Sequence, residues 1–305
     1  MNKKYYKIAE NCFCVEADER ILERMKDYEP FLVEESSESS SLFTITIRQA
    51  SNIDETYTKD TFYQVVNLDV TNGHTPDGKD VYEYKWEGKD LFWLVCEKGY
   101  QKGILTVTGI QLKMALDMAI TIIYRYSSLK KMTGVIHASA VSYQGKAYLF
   151  LGLSGTGKST HSRLWLKYFE GAELINDDKP IIRISEDGIV RAYGSPWSGK
   201  TPCYRNVDYP LGGLVKLSQA PYNRIRRLSK VEAYLFLLQS IYGKRWDKNI
   251  GDSLHLFKEK LISQVPVWSL ECLPDEEAAR LFRDTIPKNQ LISKINETDK
   301  RFYIT

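Results

Sequence analysis

The chain has 305 residues, with 42 Lys and Arg against 39 Asp and Glu and a formal net charge of +3. That length suits two domains of ordinary size, and a hydrophobic fraction of 43% is enough for a buried core. The nearly balanced charge gives no field that would favour nucleic acid or a membrane surface as partner. No apolar run reaches the ~20 residues of a membrane span, and residues 1–13 lack the apolar segment of a secretory signal.

The five cysteines are scattered along the chain, and only Cys12 and Cys14 lie close together. No second cluster completes a zinc site, so the pattern favours free thiols in a reducing compartment. We therefore expect a cytoplasmic protein.

Residues 1–110 are predicted to form an α+β domain. A polar helical pattern covers Asp18 to Tyr28, and strand-like alternation follows in four later segments. These segments are LFTITIRQA (42–50), YQVVNLDV (63–70), DVYEYKWEG (80–88) and DLFWLVCEKG (90–99). None of them carries a recognisable catalytic motif.

Residues 111–305 are predicted to form the second domain, with its core at about 130–240. Residues 111–131 read as a helix with one apolar stripe, which core packing explains. Two apolar runs follow, VIHASAV (135–141) and KAYLFLGL (146–153), joined by the turn YQGK. They predict a hairpin or a pair of buried strands.

The second apolar run leads into a glycine-rich segment. Gly152, Gly157, Lys158 and Ser159 match G-x-x-x-x-G-K-[ST], the P-loop or Walker A pattern, between a strand-like and a helix-like run. Glycines allow backbone N–H groups to wrap a phosphate, the lysine reaches the β- and γ-phosphates, and the hydroxyl binds Mg²⁺. An ordinary β–α turn would explain the glycines but not the adjacent lysine and hydroxyl. The predicted nucleotide-binding residues are Gly152, Ser154, Gly155, Thr156, Gly157, Lys158, Ser159 and Thr160.

An acidic pair follows the phosphate loop. The strand-like segment AELINDDKPIIRI carries Asp177 and Asp178, far enough after Lys158 for one helix and one return strand. Phosphoryl transfer needs one carboxylate near Mg²⁺ and another to take the proton of an attacking hydroxyl. The alternative is a solvated strand end.

A loop rich in glycine, serine and proline covers residues 193–202. We expect it to close over the nucleotide or acceptor, with Lys200 balancing phosphate charge and Trp197 stacking. The alternative is a structural loop in which Trp197 fills a hydrophobic gap. His161 is interpreted as an ordinary surface or boundary residue.

Several of these segments resemble one superfamily over about residues 130–240. GLSGTGKST resembles the phosphate loop of phosphoenolpyruvate carboxykinases and HPr kinase/phosphorylases, and INDD resembles the acidic pair that follows it there. HASAV, with His137, resembles the strand that bears the active-site histidine of HPr kinases. LGGLVKLSQAPYNRIRRLSKVEA resembles a later segment of HPr-kinase-like proteins. HPr kinases usually have an acidic residue after the lysine and serine, whereas Thr160 and His161 follow here.

The resemblance implies an α/β fold of the HPr kinase/PEP carboxykinase type, with a central mixed sheet that binds ATP and Mg²⁺. By position, Asp178 would be the base, Asp177 and Ser159 would be associated with the metal, and His137 would tune the proton transfer. The two aspartates could exchange these roles, and a buried strand histidine is the alternative for His137.

These observations predict an ATP-dependent kinase that transfers the γ-phosphate to a hydroxyl, with catalytic residues Asp178, Asp177, His137 and Lys158. The acceptor is open among a protein serine, a peptide and a small molecule, and an oligomer is compatible with the sequence. The alternatives are a non-catalytic ATP sensor that signals through the N-terminal domain and an activity related to PEP carboxykinase.

Overall fold

The computed structural model of the protein describes residues 1–34, 41–50, 56–241, 243–244 and 247–286. The end of the predicted second domain, 287–305, lies outside the described residues. The α-helices are α1 (Glu19–Leu22), α2 (Leu112–Ser128), α3 (Lys158–Tyr168), α4 (Lys230–Ser240), α5 (Lys248–Gln264) and α6 (276–286). Short 3₁₀ helices cover Lys26–Phe31 and Leu129–Lys131.

The first sheet contains nine strands, in the order β3-β1-β2-β4-β9-β8-β7-β6-β5. They are β1 (Asn2–Ile8), β2 (Asn11–Ala17), β3 (Leu32–Val33), β4 (Thr44–Gln49), β5 (Thr58–Val65), β6 (Leu68–His74), β7 (Asp80–Trp86), β8 (Lys89–Cys96) and β9 (Lys102–Val107). All neighbours are antiparallel except β2–β4 and β4–β9. The run β5 to β9 is a meander in which each strand pairs with the next along the chain.

The second sheet is mixed, with the order β10-β14-β15-β16-β12-β11-β13, and β18 pairs with β16 and β17. Its strands are β10 (Thr133–Val135), β11 (Ala138–Tyr143), β12 (Lys146–Leu151), β13 (Glu173–Asp178), β14 (Ile181–Ile184), β15 (Val190–Tyr193), β16 (Asp208–Gln219), β17 (Arg224–Arg227) and β18 (Val267–Cys272). This confirms the prediction of an α/β fold with a mixed sheet, and β11 and β12 form the predicted hairpin.

Helix α2 packs against both sheets, since it contacts β8 and β9 of the first and β10 of the second. The predicted apolar stripe is its buried face, with Leu116, Ala119, Ile120 and Ile123 at 1% exposure or less. One large hydrophobic core joins the two sheets through this helix. A smaller core lies between α3, α6 and the second sheet, around Phe150, Trp165, Trp268 and Phe282.

Two elements of the N-terminal part differ from their prediction. The helix predicted over Asp18 to Tyr28 is only the single turn of α1 followed by a 3₁₀ helix. The strand predicted over residues 63–70 is two strands, because a turn at residues 66–67 separates β5 from β6. Val66 has a φ of +54° there. Valine rarely adopts this conformation, so its presence in the sequence does not predict a turn.

Candidate active site

The phosphate loop has the strand–loop–helix context that its sequence predicts. Strand β12 ends at Leu151 and helix α3 begins at Lys158. Gly155 and Gly157 have φ values of +83° and +97°, which other residues adopt only under strain. No side chain caps the first turn of α3, so its N–H groups are available to an anion, which the helix dipole also favours.

The ammonium group of Lys158 folds back over this loop. Its Nζ donates to the carbonyl oxygens of Gly152 at 3.0 Å and Leu153 at 3.1 Å. Burial lowers the pKa of Lys158, and the nearby carboxylates of Asp178 and Asp177 act in the opposite direction. Lys158 is therefore held against the phosphate loop, close enough to the acidic pair to be affected by its charge.

Strand directions explain why the loop and the acidic pair meet. β12 and β13 are both antiparallel to β11, so they run parallel to each other, and β16 and β18 are parallel to β12 as well. Four strands therefore end at the same edge of the sheet, at Leu151, Asp178, Gln219 and Cys272. Ligands of α/β sheets bind at the carboxyl ends of strands.

Asp178 forms a hydrogen bond with the predicted histidine. Nδ1 of His137 lies 3.0 Å from Oδ1 of Asp178, and Lys179 contacts the other carboxylate oxygen. Burial raises the pKa of Asp178, but the hydrogen bond with His137 and the charge of Lys179 outweigh burial and lower the pKa to about 2. Asp178 is thus ionised at neutral pH, and His137 holds its orientation.

Asp177 is in a different environment from its neighbour. It is 5% exposed, and both carboxylate oxygens lack a hydrogen-bond partner among the described residues. It pairs across the sheet with Ser139, whose Oγ lies 2.6 Å from that of Ser162 on α3. Ser159 lies one turn before Ser162 on the same side of that helix.

A buried carboxylate without a partner is costly unless a cation joins it. Asp177 and the hydroxyl of Ser159, next to a phosphate-binding loop, fit Mg²⁺, which proteins often hold by one or two carboxylates plus substrate phosphates. Within the described ranges, no group of three or more His, Cys, Asp or Glu side chains forms a metal site by itself. A metal at this edge would therefore depend on the phosphates for part of its coordination.

Asn176 is a polar residue that the sequence reasoning missed. It is fully buried, and its Nδ2 donates to the carbonyl oxygens of Ser195 at 3.3 Å and Trp197 at 3.2 Å. Its Oδ1 accepts from the N–H groups of Asp178 at 3.0 Å and Lys179 at 2.8 Å. One side chain thus fixes the backbone of the acidic pair to the loop that follows β15. Its position directly before two acids was the available signal.

The loop expected to act as a lid contacts the acidic pair through its backbone. Gly199 N–H donates to the carbonyl oxygen of Asp177 at 2.9 Å, and a Cβ at Gly199 would lie 2.5 Å from that oxygen. Lys200 follows on the exposed surface, and its binding role stays a prediction. The expectation for Trp197 is wrong: it is 2% exposed and its Nε1 donates to Tyr28 Oη at 2.7 Å, so it is a core residue.

His161 is also buried rather than on the surface as expected. It is 3% exposed, and its ring centroid lies 4.5 Å from that of Phe150. Burial lowers the pKa of His161 to about 4, so the imidazole is neutral at neutral pH. Its position one turn into α3, on the side that packs against the smaller core, accounts for the difference.

Two clefts flank the phosphate loop. The first, of about 910 Å³, is lined by His137, residues 152–156 of the loop, Lys216 and one side of α4. The second, of about 660 Å³, lies between the start of α3, the end of β16 and residues 272–274. Both are lined by Gly155, Thr156, Leu217 and Gln219, so the phosphate loop and the end of β16 lie between them.

None of the helices among the described residues has the length and apolar character to cross a bilayer. Comparison of the sequence with protein-family models and with curated proteins gave no match. Among solved structures, the HPr(Ser) kinase/phosphatase from Coxiella burnetii matches with a TM-score of 0.34 and 12% identity, covering 56% of this chain and 99% of that chain. A likeness this low carries no weight for function, which we infer from the geometry of the site.

Proposed function

We propose that the protein is an ATP- and Mg²⁺-dependent kinase that transfers the γ-phosphate of ATP to a hydroxyl acceptor. One observation supports this above all. An ionised, histidine-paired Asp178 and a buried, unpartnered Asp177 lie at the same sheet edge as an uncapped helix start and its lysine. This set supplies an anion site, a cation site and a proton acceptor together.

The loop and the start of α3 bind the triphosphate. N–H groups of residues 154–160 donate to phosphate oxygens, and the helix dipole adds positive potential. Lys158 leaves the carbonyls of Gly152 and Leu153 and turns to the β- and γ-phosphates, where it stabilises the charge that develops during transfer. Lys200 adds positive charge from the neighbouring loop.

Asp177 and Ser159 would hold Mg²⁺ beside the phosphates. The bound metal neutralises phosphate charge and supports the in-line geometry of the transfer. Asp177 is shielded from solvent, and the backbone hydrogen bond from Gly199 fixes the strand end on which it lies.

Asp178 orients the acceptor hydroxyl and receives its proton. A carboxylate with a pKa of about 2 is a weak base. The transition state of phosphoryl transfer is loose, however, so the hydroxyl proton is lost only late, when the oxygen has become acidic through its bond to phosphorus. His137, which lines the first cleft, contributes by holding the Asp178 carboxylate in position.

The first cleft gives the acceptor its access to this base, because His137 and the phosphate loop line the same space. A serine of a protein, a peptide and a small hydroxyl compound all remain candidates. The N-terminal sheet is a candidate surface for presenting or selecting the acceptor. Nucleic acid and membrane are not among the proposed partners, and the proposed location is the cytoplasm.

The test is transfer of label from γ-labelled ATP with Mg²⁺ into a fractionated cytoplasmic extract. The wild-type protein should label one fraction, whose chemical nature identifies the acceptor. Asp178→Asn should bind ATP as tightly as the wild type but transfer about 10²–10⁴-fold more slowly.

A matched variant, Asp208→Asn, removes a carboxylate that pairs with Arg191 away from the site and should leave transfer unchanged. Equal loss of ATP binding and transfer in Asp178→Asn would reassign this residue to metal binding. Tight ATP binding without any labelled fraction would favour the sensor over the kinase.

A further inference from the structure

The second cleft, on the opposite side of the phosphate loop from His137, has no role in the transfer described above. It is lined at one side by Thr160, His161 and Leu164 of α3 and at the other by the end of β16 and by Cys272, Leu273 and Pro274. Its volume of about 660 Å³ lies within the ~300–1,000 Å³ of typical small-molecule pockets.

The order of the strands assigns the two ends of the nucleotide to opposite sides of β12. On one side, β11 leads to β13, which carries the acidic pair; on the other, β16 leads to β18. The γ-phosphate must lie towards Asp178, since that residue receives the acceptor proton in the proposed reaction. The nucleoside end then leaves the loop on the side of β16. The end of β16 lines both clefts, but of the two the second is the one that extends to the end of β18.

The chemistry of the cleft matches a nucleobase. Its walls are mainly aliphatic, from Leu164, Leu217, Leu273, Pro274 and Ala220, and Gln219 adds one amide at the rim. The Gln219 Nε2 donates to the carbonyl oxygen of Gly155 at 3.1 Å, which fixes the wall to the phosphate loop. Apolar walls with a few polar groups are typical of sites for flat aromatic ligands.

His161 supplies an independent observation. Its side chain is 3% exposed, and Nε2 has no hydrogen-bond partner among the residues that the structure describes. A buried ring nitrogen without a partner is costly, and the cost falls when a ligand supplies a donor or acceptor. The ring nitrogens and exocyclic groups of a purine offer both.

We propose that this second cleft is the nucleoside subsite, in which the base lies between α3 and residues 272–274 and meets the imidazole of His161. The proposal rests on the proposed function, because it takes the direction of the triphosphate from the positions of Lys158 and Asp178. It adds that the protein selects a nucleoside triphosphate rather than any polyphosphate.

The test compares ATP with inorganic tripolyphosphate, both with Mg²⁺, by titration calorimetry on the full chain. Ala220→Trp fills the cleft and should weaken ATP binding by at least about tenfold while tripolyphosphate binds as to the wild type. Val231→Trp places the same side chain on an exposed position of α4, 70% exposed and outside both clefts, and should change neither affinity.

Unchanged ATP affinity in Ala220→Trp would overturn the subsite, and so would equal loss of both ligands, since that would indicate damage to the loop. If the wild type binds neither ligand, the proposed function fails first. If it binds both equally well, the kinase proposal survives and the nucleoside subsite does not.

Thiol modification provides a second readout that needs no substitution. Cys272 lines the cleft and is partly exposed, whereas Cys12, also partly exposed, lies on β2 of the first sheet. Bound ATP should slow the reaction of Cys272 with N-ethylmaleimide, measured by mass spectrometry, and tripolyphosphate should not. Cys12 should react at the same rate in all samples. Equal protection of Cys272 by both ligands would contradict the proposal.

Discussion

The two sheets are alike in size but differ in whether their charged side chains have partners. Each contains nine strands. In the first sheet, charged side chains have ion-pair partners, as in Lys3–Glu16 at 3.0 Å and Lys85–Asp90 at 3.2 Å. In the second, Asp177 is buried without a hydrogen-bond partner among the described residues, beside a lysine and an uncapped helix start.

Strand direction, together with the residues that follow each strand, accounts for this difference. In the meander from β5 to β9, successive strands end at alternate edges, so polar residues that follow the strands are spread over both edges. In the second sheet, four parallel strands end at one edge, so the residues that follow these strands lie close together. The first sheet also holds three parallel strands, β2, β4 and β9, but no glycine-rich loop with a lysine follows any of them. Parallel direction therefore brings functional side chains together only where the segments after the strands carry them.

Among the variants that contrast the two regions, the largest effect is expected from removing the lysine of the loop. Lys158→Ala should lower phosphate transfer by about 10²–10³-fold, because it removes a donor to the charge that develops on the γ-phosphate. The matched variant Lys113→Ala removes a lysine of α2 that pairs with Asp27 at 2.6 Å and Asp117 at 2.7 Å.

Lys113→Ala should cost some stability and leave the rate per folded molecule unchanged. Rates with γ-labelled ATP and thermal unfolding of both variants make the comparison. Full activity in Lys158→Ala would rule out the proposed role of this lysine. Equal loss of activity in both variants would show that the effect is not specific to the phosphate loop.

A second difference should appear in acid. The buried His161 has a pKa lowered to about 4, so the unfolded chain binds this proton more readily and stability is lost as pH falls from about 6.5 to 4. The loss should approach about 3 kcal/mol, from ~1.4 kcal/mol per pKa unit. His161→Phe should remove this part of the pH dependence in urea unfolding at pH 7 and pH 4.5.

The control is His74→Gln, which replaces a histidine of the first sheet that is exposed and lies 3.0 Å from Asp60. This variant should follow the wild-type curve. If His161→Phe also follows the wild-type curve, His161 is not the group whose protonation destabilises the fold.

The smallest effect is expected where the two regions meet. Tyr28 Oη accepts from Trp197 Nε1 at 2.7 Å and donates to Asp117 Oδ1 at 3.1 Å. Tyr28→Phe leaves both groups without this partner and should lower the free energy of unfolding by about 1–3 kcal/mol. Transfer should change by less than about threefold, because the acidic pair itself stays in place. A larger loss would show that the N-terminal region holds the site in its active geometry.

Sequence reasoning succeeded where the signal was local. The spacing of Gly152, Gly157 and Lys158 predicted the strand, loop and helix, because each residue type has a backbone or charge requirement at its own position. The predictions for Trp197 and His161 were wrong because their burial depends on packing against another element: Tyr28 lies far away in sequence from Trp197, and Phe150 of β12 packs on His161 of α3.

The function of Asn176 was missed for the same reason, since two of its partners lie on a loop about twenty residues later. The division into domains at residue 110 and the roles of the site residues stay predictions. The hydrophobic pattern of the sequence did not predict strands β1, β2, β9 and β18. They are recognised only by their pairing with neighbouring strands.

The shared edge of the second sheet also has a consequence during synthesis. The strands of this edge end at residues 151, 178, 219 and 272. Residues more than a hundred positions apart must therefore come into contact before the edge is complete. Such long-range closure is slow, and it follows the local hairpins. A nascent chain still inside the ribosome at residue 272 has its phosphate loop but not the complete edge. The complete edge, and with it the site proposed for the nucleotide, therefore forms only after β18 has paired with β16.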